Sequence, residues 1–263
     1  MPALPSSSSR RFKILLLGGT ADGRRLAEDL GRRDGFEVLL SLAGRTQNPA
    51  PQPVPVRVGG FGGVEGLARF LEEAGFDGVV DATHPYAARI SRNAAEACAR
   101  AKRPLLAFRR PPWQPQPGDL WRDVDDMAQA VTALGPAPRR VFLALGRNEV
   151  RAFEAAPQHH YLIRSVDPVV PRLSVPNATY LVARGPFDGD DERHLLAAHG
   201  IETIVAKNSG GPATYGKMAA ARTLGIEVLL LRRPPVPDVA AVENIEAALA
   251  WLEARRHEAV RGE

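Results

Sequence analysis

The sequence has one cysteine and few long apolar runs. Cys98 is the single cysteine among 263 residues, which excludes disulfide bonds within the chain and metal sites built from several cysteines. A membrane-spanning helix needs about 20 consecutive apolar residues, and the apolar run Ile14–Leu17 is too short even for the core of a signal peptide. We therefore expect a cytoplasmic protein without a membrane segment.

Concentrated basic tracts are also missing. The chain has 34 lysines and arginines against 30 aspartates and glutamates, and only 6% of its residues are aromatic. A nucleic-acid surface concentrates basic residues and adds aromatics that stack on bases. Here the arginines occur singly or in pairs, as in Arg109-Arg110 and Arg232-Arg233. The net charge of +4 therefore favours a small polyanionic ligand over nucleic acid.

Motifs that carry their own chemistry are equally scarce. His159-His160 has no third ligand at a useful spacing, so we predict no metal site. Neither a Gly-x-Ser-x-Gly motif nor a persuasive pair of carboxylates is present, which argues against an esterase-like or glycosidase-like site. We expect a cofactor to supply the chemistry.

Short apolar runs alternate with helix-like stretches along most of the chain. The first cycle consists of an apolar run at Ile14–Leu17, a helical pattern at Ala21–Arg33 and a second run at Phe36–Leu40. Such alternation predicts an α/β protein with parallel sheets that helices cover on both faces. We predict two Rossmann-like domains with a cleft between them.

The predicted domain organisation follows the breaks in this pattern. The proline-rich stretch Arg109–Gly118 predicts a connector or a lid. Helices are expected at Val124–Leu134, before Gly135-Pro136, and at Val239–Glu253. We divide the chain into a disordered leader (1–10), an NADP-binding domain (11–135), a second, substrate-contacting domain (136–256) and a tail (257–263).

A glycine turn connects the first predicted strand to the first helix. Small residues there let the backbone approach a pyrophosphate, and the helix N-terminus attracts its charge. The segment Gly18–Gly23 departs from the usual dinucleotide pattern because Thr20 occupies the place of the middle glycine. Many α/β folds have a similar turn without a nucleotide. The residues predicted to bind a cofactor here are Gly18, Gly19, Thr20, Ala21 and Asp22.

The end of the second predicted strand indicates which dinucleotide would bind. NAD sites usually have an acidic residue there for the ribose 2′-hydroxyl, whereas this strand leads into Ser41–Thr46. Arg45 is suited to a 2′-phosphate, because a guanidinium forms paired hydrogen bonds with phosphate oxygens. A solvated loop arginine is the alternative. We predict NADPH, with NADH less favoured, and cofactor contacts from Ser41, Ala43, Gly44 and Arg45.

A third motif follows another buried strand. The segment Asp81–Ala87 opens a helix, so it should lie along the carboxyl edge of the same sheet, where open α/β sheets bind ligands. His84 is a candidate cofactor donor or acid, or a structural residue. We expect Tyr86 either to face the nicotinamide or the substrate, or only to pack against the protein. We predict cofactor contacts from Thr83, His84 and Pro85.

The second half contains a polar loop between a strand and a helix. Lys207–Gly211 offers an ammonium, amide and hydroxyl donors and flexible backbone N–H groups, which suit carboxylates or phosphates. Thr214–Lys217 leads into the next helix, and the order of residues differs from a Walker loop. Gly146-Arg147-Asn148 is a similar but weaker candidate.

Taken together, these motifs resemble the precorrin-6A reductase family of corrin-ring biosynthesis. The resemblance is carried by the Gly-Gly-Thr turn at Gly18–Thr20, the run Asp81–Ala87, Gly146-Arg147, and the loop Lys207–Gly211 with Lys217 after it. It covers about residues 12–235. It implies two Rossmann-like domains, with the nucleotide held mainly by the first.

The resemblance also implies a reaction and a substrate. An NAD(P)H-dependent enzyme of this family reduces one double bond of precorrin-6A to give precorrin-6B, and the tetrapyrrole carries many acetate and propionate groups. A basic chain without a nucleic-acid surface fits such a substrate. We assign no catalytic residue, because the proton donor is not identifiable. The predicted substrate contacts are Tyr86, Arg147, Lys207, Asn208, Ser209, Gly210, Gly211, Tyr215 and Lys217.

Several alternatives remain open at this point. The chain could reduce another acidic substrate, sense NADP(H) without turnover, or carry a tetrapyrrole. The sequence does not distinguish metal-free precorrin-6A from its cobalt form. We expect a monomer, because no heptad pattern or unusually apolar helix face indicates an interface.

Overall fold

The computed structural model describes residues 10–44 and 51–261. The described chain forms two compact units. The first unit comprises the chain up to Arg110 together with the segment from Pro234 onward, and the second unit spans Pro111–Arg233. Among the described residues, no helix has the length and apolarity needed to cross a membrane.

Strands and helices alternate through both units. In chain order the strands are β1 (Phe12–Leu17), β2 (Phe36–Leu42), β3 (Val56–Val58), β4 (Gly78–Asp81), β5 (Leu105–Phe108), β6 (Trp121–Val124), β7 (Arg140–Ala144), β8 (His160–Ser165), β9 (Ala178–Val182), β10 (Thr203–Lys207), β11 (Glu227–Leu231) and β12 (Ala241–Val242). The helices are α1 (Ala21–Gly31), α2 (Gly63–Glu73), α3 (Ala88–Arg100), α4 (Met127–Leu134), α5 (Gly189–Ala198), α6 (Gly216–Leu224) and α7 (Ile245–Arg261). Short 3-10 helices span Val150–Ala155 and Pro212–Thr214.

Each unit contains a six-stranded sheet in which all pairs of neighbouring strands are parallel. The strand order is β12-β5-β4-β1-β2-β3 in the first unit and β6-β11-β10-β7-β8-β9 in the second. The predicted fold class of two parallel α/β sheets is therefore confirmed. In each sheet the order of strands reverses between two central strands, so that the chain leaves them in opposite directions. These strands are β1 and β4 in the first unit and β7 and β10 in the second. Such a switch point opens a crevice at the carboxyl ends of the strands.

Alternation along β1 shows why both faces of the first sheet are apolar. Ile14 and Leu16 belong to a core cluster with α1 and α7, whereas Leu15 and Leu17 belong to a second cluster with α2 and α3. Successive strand residues point to opposite faces. A strand covered on both sides therefore reads as a continuous apolar run, as the sequence predicts.

The boundary between the units differs from the predicted division at residues 135 and 136. β6 pairs with β11, which places residues 121–124 in the second sheet. β12 pairs with β5, and α7 buries Ala248 and Leu252 in the core of the first unit. The C-terminal segment thus returns to the first unit instead of completing the second. Strand partners far apart in sequence determine this division.

Two predicted helices are shorter or start later than expected. The helix predicted at Val124–Leu134 begins at Met127, where Asp126 accepts a hydrogen bond from Gln129 N at 2.8 Å, and the residues before it form β6. The helix predicted at Val239–Glu253 begins at Ile245 and follows β12. Each of the two predictions had therefore counted a short edge strand, β6 or β12, as part of the helix that follows it.

The predicted termini also change. The segment predicted as a tail from residue 257 is helical as far as Arg261. Residues 1–9 of the predicted leader lie outside the described residues. Arg10 is described, and its Nη2 donates to Asp77 Oδ1 at 2.6 Å.

The second unit encloses an ion pair in its core. Arg164 on β8 and Glu192 on α5 form a bidentate pair, with Nη2 to Oε2 at 2.8 Å, and their side chains are 7% and 4% exposed. The guanidinium lies 3.7 Å from the centre of the Phe187 ring. Burial of a charged carboxylate is tolerated only while an opposite charge pairs with it, so each member of this pair stabilises the other.

Lys217 lies near this pair and is also buried. Its ammonium donates to Thr214 O at 2.5 Å and lies 4.8 Å from the centre of the Trp113 ring. Burial and, to a smaller extent, the charge of Arg164 lower the pKa of Lys217 to about 7, while the charge of Glu192 opposes the shift. The ammonium is therefore held at an energetic cost in neutral solution.

We expect Glu192→Ala to destabilise the protein by about 3–5 kcal/mol, because it leaves the buried Arg164 charge without its partner. Urea unfolding followed by circular dichroism measures the loss. The control is Glu258→Ala, which breaks an exposed pair with Arg255 and should cost less than about 0.5 kcal/mol. Equal losses in the two variants would contradict the structural role of the buried pair.

We expect the stability of the wild type to rise with pH between about 7 and 10 relative to Lys217→Met. The lowered pKa of Lys217 means that the unfolded chain binds more protons than the folded chain in this range. Stability then increases with pH, by at most about 1.4 kcal/mol per unit for one group. Urea unfolding at several pH values measures this slope. The control Lys102→Met, at an exposed position, should keep the wild-type slope, and a wild-type slope in Lys217→Met would refute the prediction.

Candidate active site

The glycine turn lies at the switch point of the first sheet, directly after β1. Gly18 N donates to Ser41 O at 3.0 Å, and a Cβ at Gly18 would lie 2.5 Å from Leu40 Cδ1. Gly19 has φ +125°, which favours glycine, and its position leaves open space where a Cβ would stand. Only small residues fit this turn, and its backbone is accessible on the side of Gly19.

Thr20 and Gly23 fix the start of α1 against β4. Thr20 Oγ1 donates to Ala82 O at 2.9 Å and accepts from Gly23 N at 3.0 Å. A Cβ at Gly23 would lie 3.3 Å from Ala82 O, so glycine allows this close approach. The threonine in the place of a middle glycine thus turns its hydroxyl toward β4. The N–H groups of Ala21 and Asp22 lie at the helix start, where no carbonyl of α1 can reach them.

The edge formed by β2 and β3 contains a guanidinium that the sequence analysis did not predict. Arg57 stands opposite Ser41 in the register of the two strands. Its Nη1 donates to Ser41 Oγ at 3.2 Å and to Gly59 O at 2.9 Å, and its centre lies 3.9 Å from the centre of the Phe61 ring. Burial lowers the pKa of Arg57. The pairing of β3 with β2 places Arg57 beside Ser41, and the sequence alone does not reveal this pairing.

The remaining predicted residues of this edge are only partly described. Ala43 and Gly44 follow β2, and Gly44 has φ +70°. Arg45, the predicted 2′-phosphate ligand, and Thr46 lie outside the described residues. The contact of Arg45 therefore stays a prediction.

The segment after β4 is an ordered turn that precedes α3. Asp81 is buried, and its Oδ1 accepts from Thr83 N at 3.1 Å and from Thr83 Oγ1 at 2.6 Å. His84 Nδ1 accepts from Tyr86 N at 3.3 Å, and Pro85 stands between the two residues. A neutral imidazole that accepts at Nδ1 carries its proton on Nε2. The turn thus holds a ring donor beside the switch point.

Arg110 adds a further charge at this edge. It follows β5, the neighbour of β4, and its Nη1 lies 3.1 Å from Asp22 Oδ2 in the first turn of α1. A carboxylate at the start of a helix would repel a bound phosphate, and this pair balances its charge. The sequence indicated only that Arg109-Arg110 was a pair of arginines.

The switch point of the second sheet brings together two of the predicted loops. Glu149 Oε2 accepts from Gly146 N at 2.9 Å after β7, and Glu149 Oε1 forms an ion pair with Lys207 Nζ at the end of β10. Arg147 lies half-buried in the same turn. The structure therefore places Arg147 and Lys207 at one sheet edge, with Glu149 as an unpredicted third member.

The loop after β10 is tied to the proline-rich connector. The side-chain amide of Asn208 accepts from Trp113 N at 2.8 Å and donates to Trp113 O at 3.0 Å. Gly211 O accepts from Trp113 Nε1 at 2.9 Å, and Tyr215 accepts from Arg222 Nη2 at 2.5 Å. The connector therefore packs on this loop within the second unit.

The other predicted substrate contacts differ in their accessibility. Ser209 N donates to Lys207 O at 2.8 Å, and Gly210 has φ +67°. Lys217 is 4% exposed, so its ammonium contacts the protein carbonyl described above. We predicted that this ammonium contacts a carboxylate of the substrate. The structure differs, because the ammonium is buried and a ligand cannot reach it. Its burial depends on residues of other elements.

Among the residues of 10–44 and 51–261, no group of three His, Cys, Asp or Glu side chains could hold a metal ion. His159 is fully buried, and its Nδ1 accepts from Arg139 N at 3.2 Å. This histidine therefore has a structural hydrogen-bonding role.

Comparison with known proteins identifies the family. The family model described as precorrin-6x reductase CbiJ/CobK matches residues 13–253. A precorrin-6A reductase of Sinorhizobium sp. is 53% identical over 244 residues, which cover 93% of this chain and 94% of the relative. One from Rhodobacter capsulatus is 49% identical and covers 91% of this chain and 95% of the relative.

A solved structure supports the same relationship. The structure titled CobK precorrin-6A reductase superimposes with a TM-score of 0.88 at 48% identity, covering 92% of this chain and 96% of that chain. The family model and these relatives each span most of the two units described above. The chain belongs to the precorrin-6x reductase family.

Proposed function

We propose that this protein reduces precorrin-6A with NADPH in cobalamin biosynthesis. The observation that carries the proposal is the first switch point, where the glycine turn, the start of α1 and the segment after β4 lie at adjacent strand ends. Family membership supports the reductase activity, and the 53% identical relative, a precorrin-6A reductase, supports metal-free precorrin-6A as the substrate.

The first unit has a suitable shape for a dinucleotide. Gly19 borders open space, Gly23 lets α1 approach β4, and the first N–H groups of α1 are oriented for a phosphate. Bound NADPH would supply the hydride that adds to the tetrapyrrole. We propose that Ala21 and Asp22 N–H hold the pyrophosphate, while Thr83 and His84 lie along the bound cofactor.

The β2–β3 edge favours NADPH over NADH. β2 ends at Leu42 and leads into Ala43 and Gly44, and the sequence from 41 to 50 contains no aspartate or glutamate that could accept from a ribose hydroxyl. Arg57 places a guanidinium beside Ser41 at this edge. We propose that Arg57 and Ser41, together with Arg45, bind the 2′-phosphate, because a guanidinium forms charge-assisted hydrogen bonds with phosphate oxygens.

The second unit offers cations to the carboxylates of the substrate. Lys207 and Arg147 lie at the carboxyl edge around β7 and β10, and Ser209 and Gly210 add polar groups to the same loop. The neighbouring Asn208 orders this loop through Trp113. We propose that the enzyme works chiefly by positioning, since a hydride transfer needs no protein nucleophile.

We expect Arg57→Met to raise KM for NADPH about tenfold or more and to leave KM for NADH within twofold, because a hydrogen bond to a charged group contributes about 1.5–3 kcal/mol. Loss of NADPH absorbance with precorrin-6A, and with its cobalt counterpart, measures turnover. The control is Arg69→Met, at an exposed position on α2. Arg45→Ala should show the same selective change.

Three outcomes would contradict this proposal. An equal rise in KM for both cofactors would assign Arg57 a structural role only. Tight NADPH binding without turnover on any tetrapyrrole would indicate a sensor. No oxidation with either tetrapyrrole would reject the proposed reaction.

We expect Lys207→Met and Arg147→Met each to raise KM for precorrin-6A several-fold, because each removes one cation from the carboxylate site. KM for NADPH should stay within twofold, since these residues belong to the second unit. Steady-state kinetics at saturating NADPH measures the change, with Lys102→Met as the control. An unchanged KM for precorrin-6A would remove that residue from the site.

A further inference from the structure

The carboxyl edge of the second sheet already binds a carboxylate, and that carboxylate belongs to the protein. Donors from two neighbouring strand ends meet on Glu149, namely Gly146 N–H after β7 and the Lys207 ammonium at the end of β10. The side chains of Lys207 and Glu149 are 18% and 33% exposed, so both can be reached from solvent. An ammonium and a backbone N–H are the groups that a carboxylate ligand needs.

The two carboxylate oxygens of Glu149 make different interactions, one with the turn and one with Lys207. Oε2 returns to Gly146 N three residues earlier, and Glu149 N donates to Gly146 O at 2.9 Å, which closes the turn. The side-chain oxygen accepts from a backbone N–H three residues earlier, a hydrogen bond that the amide oxygen of a glutamine can accept equally well. The turn therefore needs one side-chain oxygen and no charge. The ion pair with Lys207 uses the other oxygen and is not required for the local structure.

We propose that Glu149 occupies, in the unliganded protein, the place that a carboxylate of the tetrapyrrole takes on binding. This inference rests on the proposed function, in which Lys207 binds the substrate. Binding then exchanges one carboxylate for another at Lys207. A partly exposed pair of this kind contributes little to stability, so a ligand carboxylate can replace it.

The exchange makes Glu149 a specificity-determining residue. A tetrapyrrole with a carboxylate at the matching position gains the Lys207 contact in return for the broken pair. A ligand that is neutral at this position leaves the Lys207–Glu149 pair intact and gains nothing. Selectivity then comes from competition as well as from attraction.

The test is the change in KM for precorrin-6A in Glu149→Gln. The amide keeps the hydrogen bond to Gly146 N but no longer neutralises Lys207. We expect a two- to fivefold lower KM, which corresponds to a partly exposed ion pair, with KM for NADPH within twofold of the wild type. In a Lys207→Met background the same substitution should have no effect, because the two residues act on one another.

A second variant separates the charge from the turn. Glu149→Ala removes the hydrogen bond to Gly146 N as well as the ion pair, so it should lower KM for precorrin-6A similarly and also lower the unfolding temperature. Glu149→Gln should unfold at the wild-type temperature. A lower KM in both variants, despite their different stabilities, would support competition by the carboxylate.

Two results would overturn the inference, and they are distinguishable. An unchanged or higher KM in Glu149→Gln, with a raised KM in Lys207→Met, would show that Glu149 only positions Lys207. An unchanged KM in Lys207→Met would remove the substrate site itself, and the inference would fail together with that part of the proposed function.

Discussion

At one point in each sheet, the chain leaves two neighbouring parallel strands in opposite directions. No connection then crosses over the carboxyl ends of both strands. This constraint creates a crevice between β1 and β4 in the first unit and between β7 and β10 in the second. Most residues that carry the proposed chemistry stand on the loops that border these crevices, whereas Arg57 stands on the edge strand β3. At the first crevice the start of α1 presents backbone N–H groups, and at the second Lys207 and Arg147 provide charged side chains. The same backbone topology thus presents two different kinds of hydrogen-bond donor.

The details of the first crevice depend on close packing between a helix and a strand end. Gly23 lets α1 approach Ala82, and the hydroxyl of Thr20 bridges the two elements. A threonine in the place of the middle glycine is therefore compatible with a dinucleotide, because its side chain turns toward β4. The departure from the usual glycine pattern has a structural explanation here. A spacing rule alone would have counted it against the site.

The sequence predicts much of this fold because parallel strands buried on both faces are continuous apolar runs, as in β1 and β4. It does not predict the edge strands β6 and β12, which are short and owe their pairing to β11 and β5. Candidate residues on loops after strands were identified from the strand positions. Arg57 and Glu149 were not, because their significance depends on which strands are neighbours. The burial of Lys217 likewise depends on distant residues.

The pairing of β12 with β5 has a consequence for how the chain is made. The second unit is one continuous stretch, Pro111–Arg233, whereas the first unit needs Ala248 and Leu252 of α7 to complete its core. A ribosome delivers the whole second unit before it delivers the last part of the first. The first unit is therefore the unit whose core is completed last during synthesis, and a chain that stopped before α7 would leave that core incomplete.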